Sequence, residues 1–289
     1  TEQPEKAGRG QVQRSACCKV YQIMAEIYVR VRTEEQMKSV IQSGLCDVLL
    51  LPSGIAEHAV RMIRDMGVKG DIRIFLDLPD IARENRIENI RKAAADAESS
   101  EDISGFVVKN IDELGLISEP AYSADVIADP FLYAYNDEAV ELYKKSFPGI
   151  RFISPDELSL HEMEHLSCAE DIIFRIYGRQ RVMFTAQDFR ENVRIKGGRY
   201  EDMLIMESVK KDRYIILPEE QGYNSVLTED AVSMIDKLDE LPFNRFLIDL
   251  SVESGREADS VLYAAKAALE GKECHVSGTF RGHYYKGID

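Results

Sequence analysis

The residues best equipped for chemistry in this chain stand together at His161-Glu162-Met163-Glu164-His165. Two histidines one helical turn apart, followed or preceded by a glutamate, make the H-E-x-x-H pattern of zinc hydrolases. In that pattern the imidazoles hold the metal and the carboxylate is the general base. The same five residues also fit the reversed H-x-x-E-H order. Such chemistry needs a central helix beside a cleft and a third ligand, so the elements that carry the motif decide what it is.

The chain has 289 residues, of which 45% are hydrophobic, enough for one large core or two ordinary ones. No run approaches the ~18 apolar residues that suggest a membrane helix, and no membrane partner is expected. Thr1 is not an initiator methionine, so the chain reads as part of a longer protein whose upstream domains are its first expected partners. A net charge of −15 disfavours broad binding to nucleic acid or anionic membrane, while leaving room for a local basic face. The five cysteines, Cys17, Cys18, Cys46, Cys168 and Cys274, are odd in number and lack C-x-x-C spacing. They argue against a disulfide framework and for a reducing, cytoplasmic setting.

Residues 1–22 are polar and aperiodic and read as a linker or tail; residues 23–289 read as the folded domain. There, β-rich runs alternate with helical patterns. The runs are EIYVRVR (26–32), DVLLL (47–51), DIRIFLDL (71–78), GFVVKN (105–110), ADVIAD (124–129), IRFIS (150–154), DIIFRIYG (171–178) and RFLIDLS (245–251). Helices are predicted over 33–44, 55–67, 81–98, 111–117, 136–147, 159–167 and 256–272, with Thr33 and Asn136 as N-caps and Gly44 as a stop. Eight strands each followed by a helix predict a TIM-like (β/α)8 barrel; an open doubly wound sheet is the alternative. The seventh unit is long. Extra β-like runs (RVMFTA, MLIMES, RYIILP) precede a helix predicted over 228–240, which gives a β-rich flap inserted at about 178–227. From Arg175 to Arg213 there are ten Lys or Arg against six acids, so this insertion is read as a basic lid that could receive phosphate, carboxylate or RNA.

The zinc motif then has an address on the sixth barrel helix. Ser159 and Glu162 form a capping box, Leu160 and Met163 face inward, and the helix is about two turns long on the outer ring. No third ligand follows at a useful distance. His161 and His165 are therefore read as surface histidines, and no metal is expected.

Several segments, in order, carry a family likeness: ADPFLYAYNDEAVELYKKSFPGIRFISPDELSLHEM (128–163), YGRQRVMFT (177–185), VKKDRYIILP (209–218), GYNSVLTED (222–230), FLIDLSVES (246–254) and GTFRGHYYKG (278–287). Together they resemble the collagenase-like peptidase family, peptidase family U-32, over roughly residues 105–289. The chain lacks that family's A-P-A-G opening. The resemblance implies a barrel, a peptidase label, and, from other members, oxygen-independent hydroxylation of RNA bases or quinone precursors. Members with an iron–sulfur cluster hold it through four cysteines near these motifs. Here Asp188 stands in one such place, and PEEQGYNS (218–225) has no cysteine, so no cluster and no other cofactor are expected.

Strand ends that point to the C-terminal mouth are where barrels keep their chemistry. The strand-end candidates are Arg32, Asp77, Lys109, Asn110, Asp129, Ser154, Arg179 and Asp249. His283 in the tail, as an acid or base, and Asp249 are the candidate catalytic residues. Arg179, Arg181, Arg213, Asp129, Ser154 and Lys109 are the candidate substrate-binding groups. The readings left open are a collagenase-like peptidase, a substrate-binding or accessory barrel of a longer member, and a domain serving RNA-base hydroxylation.

Overall fold

A computed structural model of the chain describes residues 25–67, 72–81, 84–98, 100–118, 124–187, 189, 203–219 and 222–286. The expected polar tail, with Cys17 and Cys18, lies outside these residues, as do Asp188 and the basic residues Arg190, Arg194, Lys196 and Arg199 of the insertion.

Eight parallel strands close a barrel: β1 (Glu26–Arg30), β2 (Val48–Leu51), β3 (Arg73–Asp77), β4 (Ile103–Val108), β5 (Asp125–Ala128), β6 (Arg151–Ile153), β7 (Ile172–Gly178) and β13 (Arg245–Asp249). Each pairs with the next, and β13 closes the ring by pairing with both β1 and β7. The helices between them are α1 (Glu34–Ser43), α2 (Ser53–Met66), α3 (Glu84–Glu98), α4 (Ile111–Ser118), α5 (Asp137–Ser146) and α6 (Leu160–Glu164). After β13 comes α7 (Gly255–Leu269). Local chemistry sets their ends. Thr33 and Gln36 form a capping box for α1, which Gly44 terminates at φ 64°. Asn136 caps α5 through the Ala139 amide.

Between β7 and β13 the chain builds a second sheet of four antiparallel strands, in the order β8 (Arg181–Thr185), β11 (Asn224–Thr228), β10 (Arg213–Pro218) and β9 (Leu204–Glu207). This is the predicted flap. The helix predicted over 228–240 forms only at its end. Ala231–Ser233 is strand β12, antiparallel to the end of β7, and Ile235–Glu240 is a 3-10 helix of six residues. Ala231, Val232, Ser233, Met234 and Ile235 are all buried in succession, a pattern no amphipathic helix satisfies, and Val232 and Ser233 pair with Gly178 and Tyr177. The last strand, β14 (Thr279–Phe280), pairs with β12.

One apolar cluster draws a residue or two from every barrel strand: Tyr28, Val48, Leu50, Phe75, Val107, Ile127, Ile153, Ile173 and Leu247. It is the barrel interior, and the larger cluster between strands and helices is the outer core. Side chains alternate along a strand, so the residue two positions further on shares the interior face. From Tyr28, Phe75, Val107, Ile127, Ile173 and Leu247, that step reaches Arg30, Asp77, Lys109, Asp129, Arg175 and Asp249. The layer that tops the apolar interior at the C-terminal end is thus three cations and three carboxylates.

Among the described residues no helix is long and apolar enough to cross a membrane.

Candidate functional site at the barrel mouth

Buried charges persist only when paired, and the top layer obeys that rule. Arg30, at the end of β1, reaches three strands: Nη2 is 2.7 Å from Asp129 Oδ2, Nη1 is 3.2 Å from Asp249 Oδ2, and Nε is 3.3 Å from Asp77 Oδ2. Burial disfavours the Arg30 charge, yet the three carboxylates more than offset it and raise the pKa well above its usual value. Lys109 Nζ lies 3.1 Å from Asp77 Oδ1 and 3.8 Å from Asp80, with the same outcome: a cation that burial opposes and carboxylates hold charged. Arg175 pairs with Asp156.

The flap lies over this layer. Arg181 Nη1 is 2.6 Å from Asp80, and its guanidinium stands 3.7 Å from the centre of the Phe131 ring and 4.9 Å from that of Phe184. Arg32 Nη2 lies 2.5 Å from Glu219 Oε2 on the flap, and Glu219 Oε1 accepts from Ser225 at 2.7 Å. Gly178, where the chain leaves β7 for the flap, has φ 153°. A Cβ there would come within 2.9 Å of Asp249 Cβ, so only glycine lets the two strands approach at the mouth.

Two cavities result. An inner one of about 80 Å³ sits on the barrel axis, walled by Arg30, Asp129, Arg175, Arg179 and Asp249 and roofed by Leu217 and Leu227. An outer chamber of about 460 Å³ opens between the flap and the ends of β1 to β4. Its polar wall is Arg32, Ser53, Asp77, Asp80, Lys109 and Glu219; its apolar wall includes Val31, Leu78, Ile81 and Ile90 and the stacked rings of Phe184 and Tyr223, 5.1 Å apart. Arg32, Asp77, Asp80, Lys109 and Glu219 border both cavities.

The sequence-predicted residues divide accordingly. Asp249, Asp129, Lys109, Arg179 and Arg181 come together at the mouth. Arg179 is locked there by Glu253 and by the Glu229 carbonyl, not left as an open fork. Ser154 is buried beside the mouth, where its Oγ accepts from the Arg175 amide and serves the backbone. Arg213 does not converge with the others; it pairs with Glu229 at 2.9 Å, is half exposed, and borders neither cavity. His283 is exposed and borders neither cavity. The tail is fixed by its neighbour: Tyr284 is buried against Phe174 and donates to the Arg175 carbonyl at 2.8 Å. The basic-lid reading is modified in one respect, because Arg175, Arg179, Arg181 and Arg213 each have a carboxylate partner. Arg30, Asp80, Asp156, Arg175, Glu219 and Glu253 were not among the sequence candidates. The two-residue step from the inward apolar positions would have found Arg30 and Arg175.

The His161–Glu162 segment forms a helix of five residues with the predicted Ser159–Glu162 capping box. The centres of the two imidazoles lie 4.4 Å apart with the rings tilted by 30°, and His165 Nδ1 is 2.6 Å from the His161 carbonyl oxygen. Among the described residues no three His, Cys, Asp or Glu side chains converge as a metal site.

No protein-family model and no curated protein matches the sequence. Among solved structures the chain is similar to one described as a "putative fructose-1,6-biphosphate aldolase" from Coccidioides immitis. The match covers 90% of this chain and 95% of that one, with 11% identity and a TM-score of 0.43, values too low to bear on function.

Proposed function

We propose that this chain is a ligand-binding barrel of the collagenase-like, U-32 kind, acting as a substrate-binding or accessory domain of a longer cytoplasmic protein. Its ligand would be a small molecule, or the end of a larger one, that combines a flat apolar part with an anionic group. The observation that carries this reading is the chamber of about 460 Å³, which joins the stacked Phe184 and Tyr223 rings to a wall bearing Arg32 and Lys109. Its size is that of small-molecule sites, and its mix of apolar surface with a few convergent polar groups is the usual one.

Independent peptidase chemistry has less support. None of the five histidines borders either cavity. Burial pushes the Cys168 thiol up to about 11 and raises Cys46 further, and neither thiol borders the mouth cavities; a nucleophilic thiolate needs the opposite shift. Service to RNA-base hydroxylation remains the second reading. The stacked aromatic pair in the chamber is the type of surface on which a splayed base stacks.

The test is ligand-observed NMR of the full chain with aromatic carboxylates and nucleobases, on the wild type and on Phe184→Ala. Binding should weaken about tenfold in the variant. Binding indifferent to Phe184 removes the reading.

A further inference from the structure

The mouth cations differ in how firmly they are held. Arg30 is shared by three carboxylates, Lys109 by two, and Arg181 by Asp80 and two rings. Arg32 is different. Its ion-pair partner, Glu219, belongs to the flap rather than the barrel, and its side chain is 35% exposed while that of Glu219 is 11% exposed. Both residues border both cavities, so the pair forms part of the partition between the outer chamber and the pocket on the barrel axis.

Glu219 is itself held as a ligand would be. Its Oε2 lies against Arg32, its Oε1 accepts from Ser225, and its amide is fixed to the Tyr223 carbonyl at the turn between β10 and β11. Burial works against the Arg32 charge, but Glu219, with Asp77 and Asp249, more than offsets it and keeps the pKa above its usual value. The guanidinium is therefore a permanent cation that always needs an anion. Ser53, the first residue of α2, also lines the chamber, and the first turn of that helix has no acidic residue of its own.

Resting on the ligand-binding reading above, we infer that Arg32 is the carboxylate-recognition residue of the chamber. Glu219 is a built-in stand-in on the lid that a ligand's carboxylate must displace. Exchange of one carboxylate for another on Arg32 leaves the charge balance of the wall unchanged. It also frees the Glu219 side chain from Arg32 and opens the way from the chamber to Arg30, Asp129 and Asp249. The pair is thus both a specificity device and an autoinhibitory latch.

The test uses benzoate as the probe and benzyl alcohol as its neutral counterpart, titrated calorimetrically into the full chain. Glu219→Gln keeps the shape and removes the competing charge; it should bind benzoate about tenfold tighter than the wild type. Arg32→Gln should bind it at least about tenfold more weakly. Benzyl alcohol should not distinguish the three proteins. Ser225→Ala, which removes only the hydroxyl that holds Glu219, should shift benzoate affinity in the same direction as Glu219→Gln, and it keeps the test readable if that variant folds poorly. Equal benzoate affinity in the wild type, Glu219→Gln and Ser225→Ala overturns the latch and leaves the chamber reading intact. No benzoate binding to any of them overturns both.

Discussion

Arg30 Nη2 lies 2.7 Å from Asp129 Oδ2, so the end of β1 is tied to the end of β5 across the full width of the barrel. Because the same guanidinium also holds Asp77 and Asp249, its loss would take a cation from three largely buried carboxylates, of which Asp77 keeps Lys109. Arg30→Met should cost about 3–5 kcal/mol in urea unfolding. Asp129→Asn should cost less, because two carboxylates remain on Arg30. Equal costs for the two variants would show that Arg30 is not the hub.

Glu113, in the first turn of α4, supplies a pH dependence. Burial is the main cause that lifts its carboxyl from the usual 4.5 to about 8, against the Lys109 amide and charge, which pull it down. Between those two pH values the folded state holds a proton that the unfolded chain has released. Stability is therefore highest below about pH 4.5 for this group and is lost as pH rises through 8. Glu113→Gln should flatten that slope and gain stability on the order of a few kcal/mol at pH 8. Parallel pH profiles for the two proteins, from denaturant midpoints, would contradict this.

Arg181 should not tolerate lysine. An ammonium can replace the charge facing Asp80 but not the flat contact with Phe131 and Phe184. Arg181→Lys should cost about 1–2 kcal/mol and raise amide exchange in β8 and β11 above that in β1 to β4. Uniform exchange across flap and barrel would mean that Arg181 does not fasten the flap.

The histidine pair makes the opposite prediction. His161→Ala with His165→Ala should change stability by no more than about 0.5 kcal/mol. Ser159→Ala, by removing a cap, should cost about 1 kcal/mol. Elemental analysis of the purified chain should find well under one zinc per chain; a full equivalent that the double variant loses would restore the metal reading.

The barrel was legible because eight β-rich runs alternate with helical patterns and their caps, and each run carries its own local signals. The flap was legible for the same reason: RVMFTA and RYIILP became β8 and β10. The stretch 228–240 misled because composition alone does not distinguish a helix from a strand that is buried on both faces, and its partner, the end of β7, is about 55 residues away in sequence. At the site, Lys109, Asp129 and Asp249 were found as strand ends. Arg30 and Arg175 were missed because they stand inside their runs, where a charge looks like an outward-facing residue. Glu219 and Glu253 could not be found that way at all. Their partners, Arg32 and Arg179, are fixed only by how the flap and the β13 loop close over the mouth.

The alternation of sign in the top layer also governs how fast a ligand arrives. Three cations set among three carboxylates have no net charge between them, and the field of such an arrangement fades within a Debye length, about 8 Å at physiological ionic strength. At a distance an approaching anion senses the chain's −15 instead. An anionic ligand of the proposed kind would therefore be recognised on contact rather than drawn in, and added salt should speed its association by screening the repulsion, the reverse of an electrostatically steered encounter.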